Sequence, residues 1–91
     1  MSTHLSRYFQ QKRLEKGLKP GQLARLAGCV NVPKNGGRIR SFELSGHIGQ
    51  ELFDKLAAVL EIDASTIERF VEQDRKEFFE AWLAWVSEPT S

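Results

Sequence analysis

The run Lys34-Asn35-Gly36-Gly37-Arg38-Ile39-Arg40-Ser41 gathers the residue types best able to do chemistry in this chain. A guanidinium can bond guanine O6 and N7 with both prongs in the major groove of duplex DNA, and an asparagine amide can do likewise with adenine. Glycines remove side-chain bulk, so backbone N–H groups can approach phosphates at a helix start. Ile39 and Phe42 stand three apart, as residues sharing one helical face do. With those two turned inward, Lys34, Gly37, Arg38, Arg40 and Ser41 spread around the exposed side. Lys19 and Arg25, just upstream, would join Lys34 in neutralising phosphates around the groove. Glu43, next to Phe42, reads as structural, pairing with a nearby basic residue rather than reading cytosine.

The charge distribution points the same way. Residues 1–50 carry nine Lys/Arg against Glu15 and Glu43, a net +7, whereas residues 51–91 carry four basic and ten acidic residues, a net −6. A basic half joined to an acidic half suits a polyanionic partner for the first half. Other chemistries lack their residues. The single Cys29 excludes a disulfide framework and a cysteine-based zinc site, and His4 and His47 have no helical pairing for a metal. There is no phosphate loop, dinucleotide fingerprint or nucleophile elbow, and Asp63, Glu68 and Glu72 read as solvent-facing helix residues, so catalysis is not expected. No cofactor, metal or membrane is implied. No apolar run approaches a membrane span, and the polar start "MSTHLSRYF" does not read as a signal peptide. The expectation is a cytoplasmic protein.

The elements that must position these residues all read as helices. In "HLSRYFQQKRLEKG", Leu5, Tyr8 and Phe9 share a face and Gly17 stands at the left-handed C-cap position. "KPGQLARLAG" has Pro20 in its first turn and Gly28 at its end. "GQELFDKLAAVLEI" carries a core-facing stripe from Leu52 to Leu60. "DASTIERFVEQDRKEFFEAWLAWV" opens on Asp63 as N-cap and ends before Pro89. The polar "EQDRKE" inside it is either a hinge or the middle of one long helix. These elements predict an all-α bundle of five to six helices. Its core would draw on Leu5, Phe9, Leu23, Leu26, Ile39, Phe42, Leu56, Leu60 and Ile67, with Cys29 a partly buried hydrophobe.

From about Leu5 to Ile62 this arrangement resembles the lambda-repressor/Cro-like family of helix-turn-helix DNA-binding domains. "LSRYFQQKRLEKGLKPGQLARLAG" looks like the first two helices, "RIRSFE" like the recognition helix and "LFDKLAAVLEID" like the helix that closes the core. Gly17-Leu18, Leu23-Ala24, Gly28 and Leu56-Ala57 through Leu60 stand at the family's spacings. The resemblance implies that Asn35, Gly36, Gly37, Arg40 and Ser41 contact DNA. Two departures bear on it. Gly28 to Ile39 spans eleven positions where the family has six, so the turn is extended, and Pro20 stands where the family often has a polar phosphate contact. The third helix then begins in one of two ways: Asn35 caps a short helix, or Asn31 caps a longer one with Pro33 in its first turn and Gly36 and Gly37 inside it.

Residues 1–63 thus form the expected DNA-binding domain and residues 64–88 an amphipathic C-terminal helix. At about 100° per residue, Phe78, Phe79, Trp82, Leu83, Trp85 and Val86 fall within an arc of roughly 160°. Such a face either covers the small core or forms a dimer interface, and the expectation is a homodimer on double-stranded DNA, a bacterial or phage transcriptional regulator. The competing expectation is a helical protein-interaction module without DNA binding. RNA binding ranks third, because no aromatics interleave with the basic residues to stack unpaired bases.

Overall fold

A computed structural model describes residues 2–87. It contains five helices: α1 (His4–Glu15), α2 (Pro20–Leu26), α3 (Val32–Ser45), α4 (Gln50–Val59) and α5 (Ala64–Ser87). No strand occurs among the described residues, so the chain is all-α as expected. Pro89 and position 88, the expected end of the last helix, lie outside the described residues.

The ends of these helices follow from their sequences. The Thr3 hydroxyl accepts from the Ser6 N–H at 3.0 Å, and the Ser6 hydroxyl accepts from the Thr3 N–H at 2.9 Å, a reciprocal cap at the start of α1. Gly28 closes α2 with φ +78°: its N–H donates to the Arg25 carbonyl and the Cys29 N–H to the Ala24 carbonyl, which satisfies two carbonyls that the helix leaves open. The same device ends α4, but there the left-handed residue is Glu61, at φ +56°. Asp63 caps α5 as expected, its carboxylate accepting from the Thr66 N–H at 2.9 Å. The Thr66 side chain, followed by that backbone bond, holds the Asp63 carboxyl below its ordinary value of 3.8.

Phe9, Leu23, Ala24, Ile39, Phe42, Leu52, Leu56, Leu60 and Ile62 form the buried core. Phe9 sits at its centre, edge-on to Phe42 at 5.4 Å and stacked on Phe53 at 4.9 Å. Leu5 and Ile67, expected in the core, pack at its margin. Leu26 does not belong to it and is 60% exposed. The seven-residue α2 turns Leu23 and Ala24 inward, its C-cap Ala27 packs beside them, and Leu26 points off that face.

The run "EQDRKE" is the middle of one continuous helix, not a break between two. The first half of α5 lies along α1. Tyr8 and Phe70 meet in a tilted pair at 4.7 Å, and the Asp74 carboxylate accepts from the His4 and Leu5 N–H groups at 2.8 and 3.2 Å. His4 Nε2 and Glu77 add a contact of 2.6 Å. Asp74 thereby supplies acceptors to two helix-start amides that α1 itself cannot satisfy.

Candidate nucleic-acid interface

The extended turn resolves into helix. Asn31 is the N-cap of α3, its side chain accepting from the Lys34 N–H at 3.1 Å, with Pro33 in the first turn. The added residues therefore build an opening turn of α3, the longer of the two expected starts. Gly36 and Gly37 lie inside it, and their N–H groups fall within the helical ladder.

This placement changes the part the two glycines can play. Gly36 is buried against the start of α2, where an added Cβ would stand 3.2 Å from both the backbone N and the Cα of Gly21. It permits two helix backbones to approach and cannot take part in surface binding. The expected contact between its backbone and a phosphate is thus excluded by packing. Gly37, one residue on, is exposed with nothing within 4 Å of an added Cβ. Only Gly37 remains on the candidate face.

The other candidates divide around α3. Lys34, Asn35, Arg38 and Ser41 line an open groove whose far wall is the link from His47 to Gly49 and the start of α4 as far as Leu52, with Lys55. Glu51 also borders it, 3.5 Å from Lys55. Arg40 lies instead beside a smaller hollow formed with Gln10, Pro20 and Leu44. Two residues along a helix is about 200° of rotation, so Arg38 and Arg40 flank the exposed strip from opposite sides. Asn35 is half-buried, and its amide donates to the Asn31 carbonyl at 2.8 Å, which leaves it only part of its bonding capacity. The Ser41 side chain is exposed, and its carbonyl accepts from the Ser45 hydroxyl at 2.7 Å.

Among the described residues nine exposed cations form no ion pair. Arg7, Lys16, Arg69 and Lys76 lie before α2 or on α5. The other five, Lys19, Arg25, Lys34, Arg38 and Arg40, fall in a stretch without Asp or Glu. By contrast Lys12 has Glu15 at 3.5 Å, and that carboxylate raises its pKa. Arg13 is buried in a two-pronged pair with Glu43, Nε to Oε2 at 2.7 Å and Nη2 to Oε1 at 2.9 Å. Its remaining prong, Nη1, donates to the Leu18 carbonyl at 2.6 Å. Glu43 is structural as expected, and Arg13 ties α1, the following turn and α3 together. Nothing in the sequence singled out Arg13, since its partner lies thirty positions away.

The face α3 presents is therefore a helical strip, Lys34, Gly37, Arg38 and Ser41, bordered by Arg40. Such a strip has the width of one helix and a positive charge without internal partners, and it can meet an anionic groove or surface. No group of His, Cys, Asp and Glu side chains among the described residues could hold a metal ion. No helix of the described residues is long and apolar enough to cross a membrane. Comparisons with protein-family models, curated proteins and solved structures returned no match to this chain.

Proposed function

We propose that this chain binds double-stranded DNA sequence-specifically, with α3 as the helix that enters the major groove, and acts as a bacterial or phage transcriptional regulator. The observation that carries the reading is the concentration of five exposed, unpaired cations, Lys19 at the cap of α2, Arg25 on α2 and Lys34, Arg38 and Arg40 on α3, in a stretch without any Asp or Glu. Here the acidic side chains fall mostly on α4 and α5, leaving the α2–α3 surface to an outside anion. The helix-turn-helix resemblance supplies the docking: α3 along the groove, α2 across the backbone.

Roles divide by position. Lys19 and Arg25 on α2 hold phosphates, which positions the protein without reading sequence. Arg38 and Arg40 flank the strip at the level of Gly37 and Ser41, and each has the reach and the free donors to bond guanine. The test begins with selection from a random duplex pool, followed by titration of the selected site across salt. Three phosphate contacts, from Lys19, Arg25 and Lys34, would give a log–log slope of about −2.7. Arg38→Ala or Arg40→Ala, whichever side chain reads a base, costs about 1–3 kcal/mol on the selected site and relaxes its preference, whereas Lys19→Ala weakens all sequences alike. Enrichment of no motif, or a flat salt slope, would refute the reading and leave a protein-interaction module.

A further inference from the structure

From Phe78 onward α5 leaves the rest of the molecule. Its last tie to α1 is the contact between Glu77 and His4; beyond it no described side chain of α5 bonds to or stacks on another element. The overhang is mostly apolar, and it is not covered. Phe78 and Trp85 are each 75% exposed, and Phe79, Trp82, Leu83 and Val86 range from 41% to 54%. Phe79 and Trp82 stack at 6.1 Å and so fix part of the face before any partner arrives. The expected alternative, in which this face covers the chain's own core, is not the arrangement seen.

We infer that this overhang is the dimerisation surface of the protein and that its occupant is the same face of a second copy. Area is the first argument. With about 150–250 Å² per aromatic side chain, the six residues leave on the order of 600–700 Å² exposed. That exceeds the roughly 300–600 Å² of the largest apolar patch on an ordinary monomer. It also approaches the ~800 Å² that each partner contributes to a standard stable interface. Charge is the second argument. Between Phe78 and Val86 the one charged residue is Glu80, which stands about 140° around the helix from the middle of the aromatic arc. Two copies can therefore meet arc to arc with their acids pointing apart. The same composition disfavours an anionic membrane, which would require Lys or Arg beside the aromatics. A paired α5 would also supply the two-fold relation that paired half-sites in DNA need, although the inference itself does not depend on DNA binding.

The experiment needs no DNA. The full chain is sedimented over a micromolar concentration series, and its tryptophan emission is followed on dilution. Trp82 and Trp85 are the chain's two tryptophans, so emission reports on this face alone. The expected result is a monomer–dimer equilibrium whose dissociation red-shifts the emission. Trp82→Glu should raise the dissociation constant about 100-fold or more, because both copies lose a central aromatic. Trp82→Phe should remain dimeric, and circular dichroism should show both variants folded. A parent chain that stays monomeric throughout overturns the inference, as does a Trp82→Glu variant that still dimerises. Unfolding of Trp82→Glu while Trp82→Phe stays folded would assign the ring to the core and overturn it equally. So would a monomer whose emission shifts only on phosphatidylserine vesicles.

Discussion

Adding one methyl group at Gly36 or at Gly37 separates two jobs that the sequence places side by side. Both residues are inside α3, where replacing Gly by Ala relieves backbone entropy and favours the helix by about 1 kcal/mol. At Gly37 nothing opposes that gain, since no atom lies within 4 Å of the new Cβ. At Gly36 the methyl would meet the Gly21 N and Cα at 3.2 Å and the Pro20 carbonyl carbon at 3.6 Å. These are backbone atoms of α2, so no flexible side-chain end can swing aside and the two helices must part. Overpacking of this kind costs about 1–3 kcal/mol, which outweighs the helix gain. Gly37→Ala should therefore raise stability by about 1 kcal/mol and Gly36→Ala lower it by a similar amount. In a domain of this size 1 kcal/mol moves Tm by about 4–8 °C, so the variants should melt on opposite sides of the parent. Urea titration followed by far-UV circular dichroism gives the free energies directly. Equal stabilisation by the two substitutions would refute the close approach of α2 and α3.

Other expectations follow from single contacts. Arg13→Ala leaves Glu43 buried without its partner and should cost about 3–5 kcal/mol in urea denaturation, while Arg13→Met combined with Glu43→Leu should recover most of that loss; a single-variant loss well under 1 kcal/mol would mean that the pair is solvated. Glu61 holds a left-handed conformation that glycine adopts without strain, so Glu61→Gly should raise stability by up to about 1 kcal/mol, measured by thermal melting. The Asp63 carboxyl is held below its unfolded value by its bonds to Thr66, so its contribution to α5 is complete above that value and fades as pH falls through the lowered one. Asp63→Asn should flatten that part of the acid limb of an NMR titration of the Thr66 amide, and an unchanged limb would show that the cap does not form in solution.

What the sequence made legible was whatever depends on near neighbours. Gly28 ends α2 and Asp63 starts α5 because a left-handed glycine and a capping carboxylate act within a few residues. The face carrying Phe9, Leu23, Ile39, Phe42 and Leu56 could be read because periodicity alone orients it. The start of α3 could not be settled, since Asn31 and Asn35 are both sound caps and the deciding factor is the fit of Gly36 against α2. Leu26 was misplaced because a seven-residue helix has too few turns to define its buried side. The Arg13–Glu43 pair and the placement of Asp74 over α1 join residues thirty and about seventy positions apart. No local pattern encodes such partners. The sidedness of Arg38 and Arg40 was hidden for the same reason: it depends on α4 lying beside one and α1 and α2 beside the other.

These long-range ties bear on how α3 can work. Its buried residues, Gly36, Ile39 and the adjacent Phe42 and Glu43, follow the helical period along one face and are held by three different devices. Gly36 is fixed by backbone approach, Ile39 and Phe42 by the core, and Glu43 by a two-pronged ion pair. Anchors at that period leave an outer strip of the same period, from Lys34 through Gly37 and Arg38 to Ser41. The helix is thus gripped along most of its length, and its outer side chains ride on a backbone with little freedom to shift. A reading surface requires that condition, because a side chain displaced by even an ångström loses a bidentate bond. On the proposed function, Arg13→Ala should impair DNA binding from a distance, by releasing the C-terminal half of α3, even where enough stability remains for the domain to fold. Rescue of binding by Arg13→Met with Glu43→Leu would place the effect in positioning, since neither apolar residue can bond DNA. Failure of that rescue in a fully folded double variant would mean that Arg13 or Glu43 meets the DNA itself.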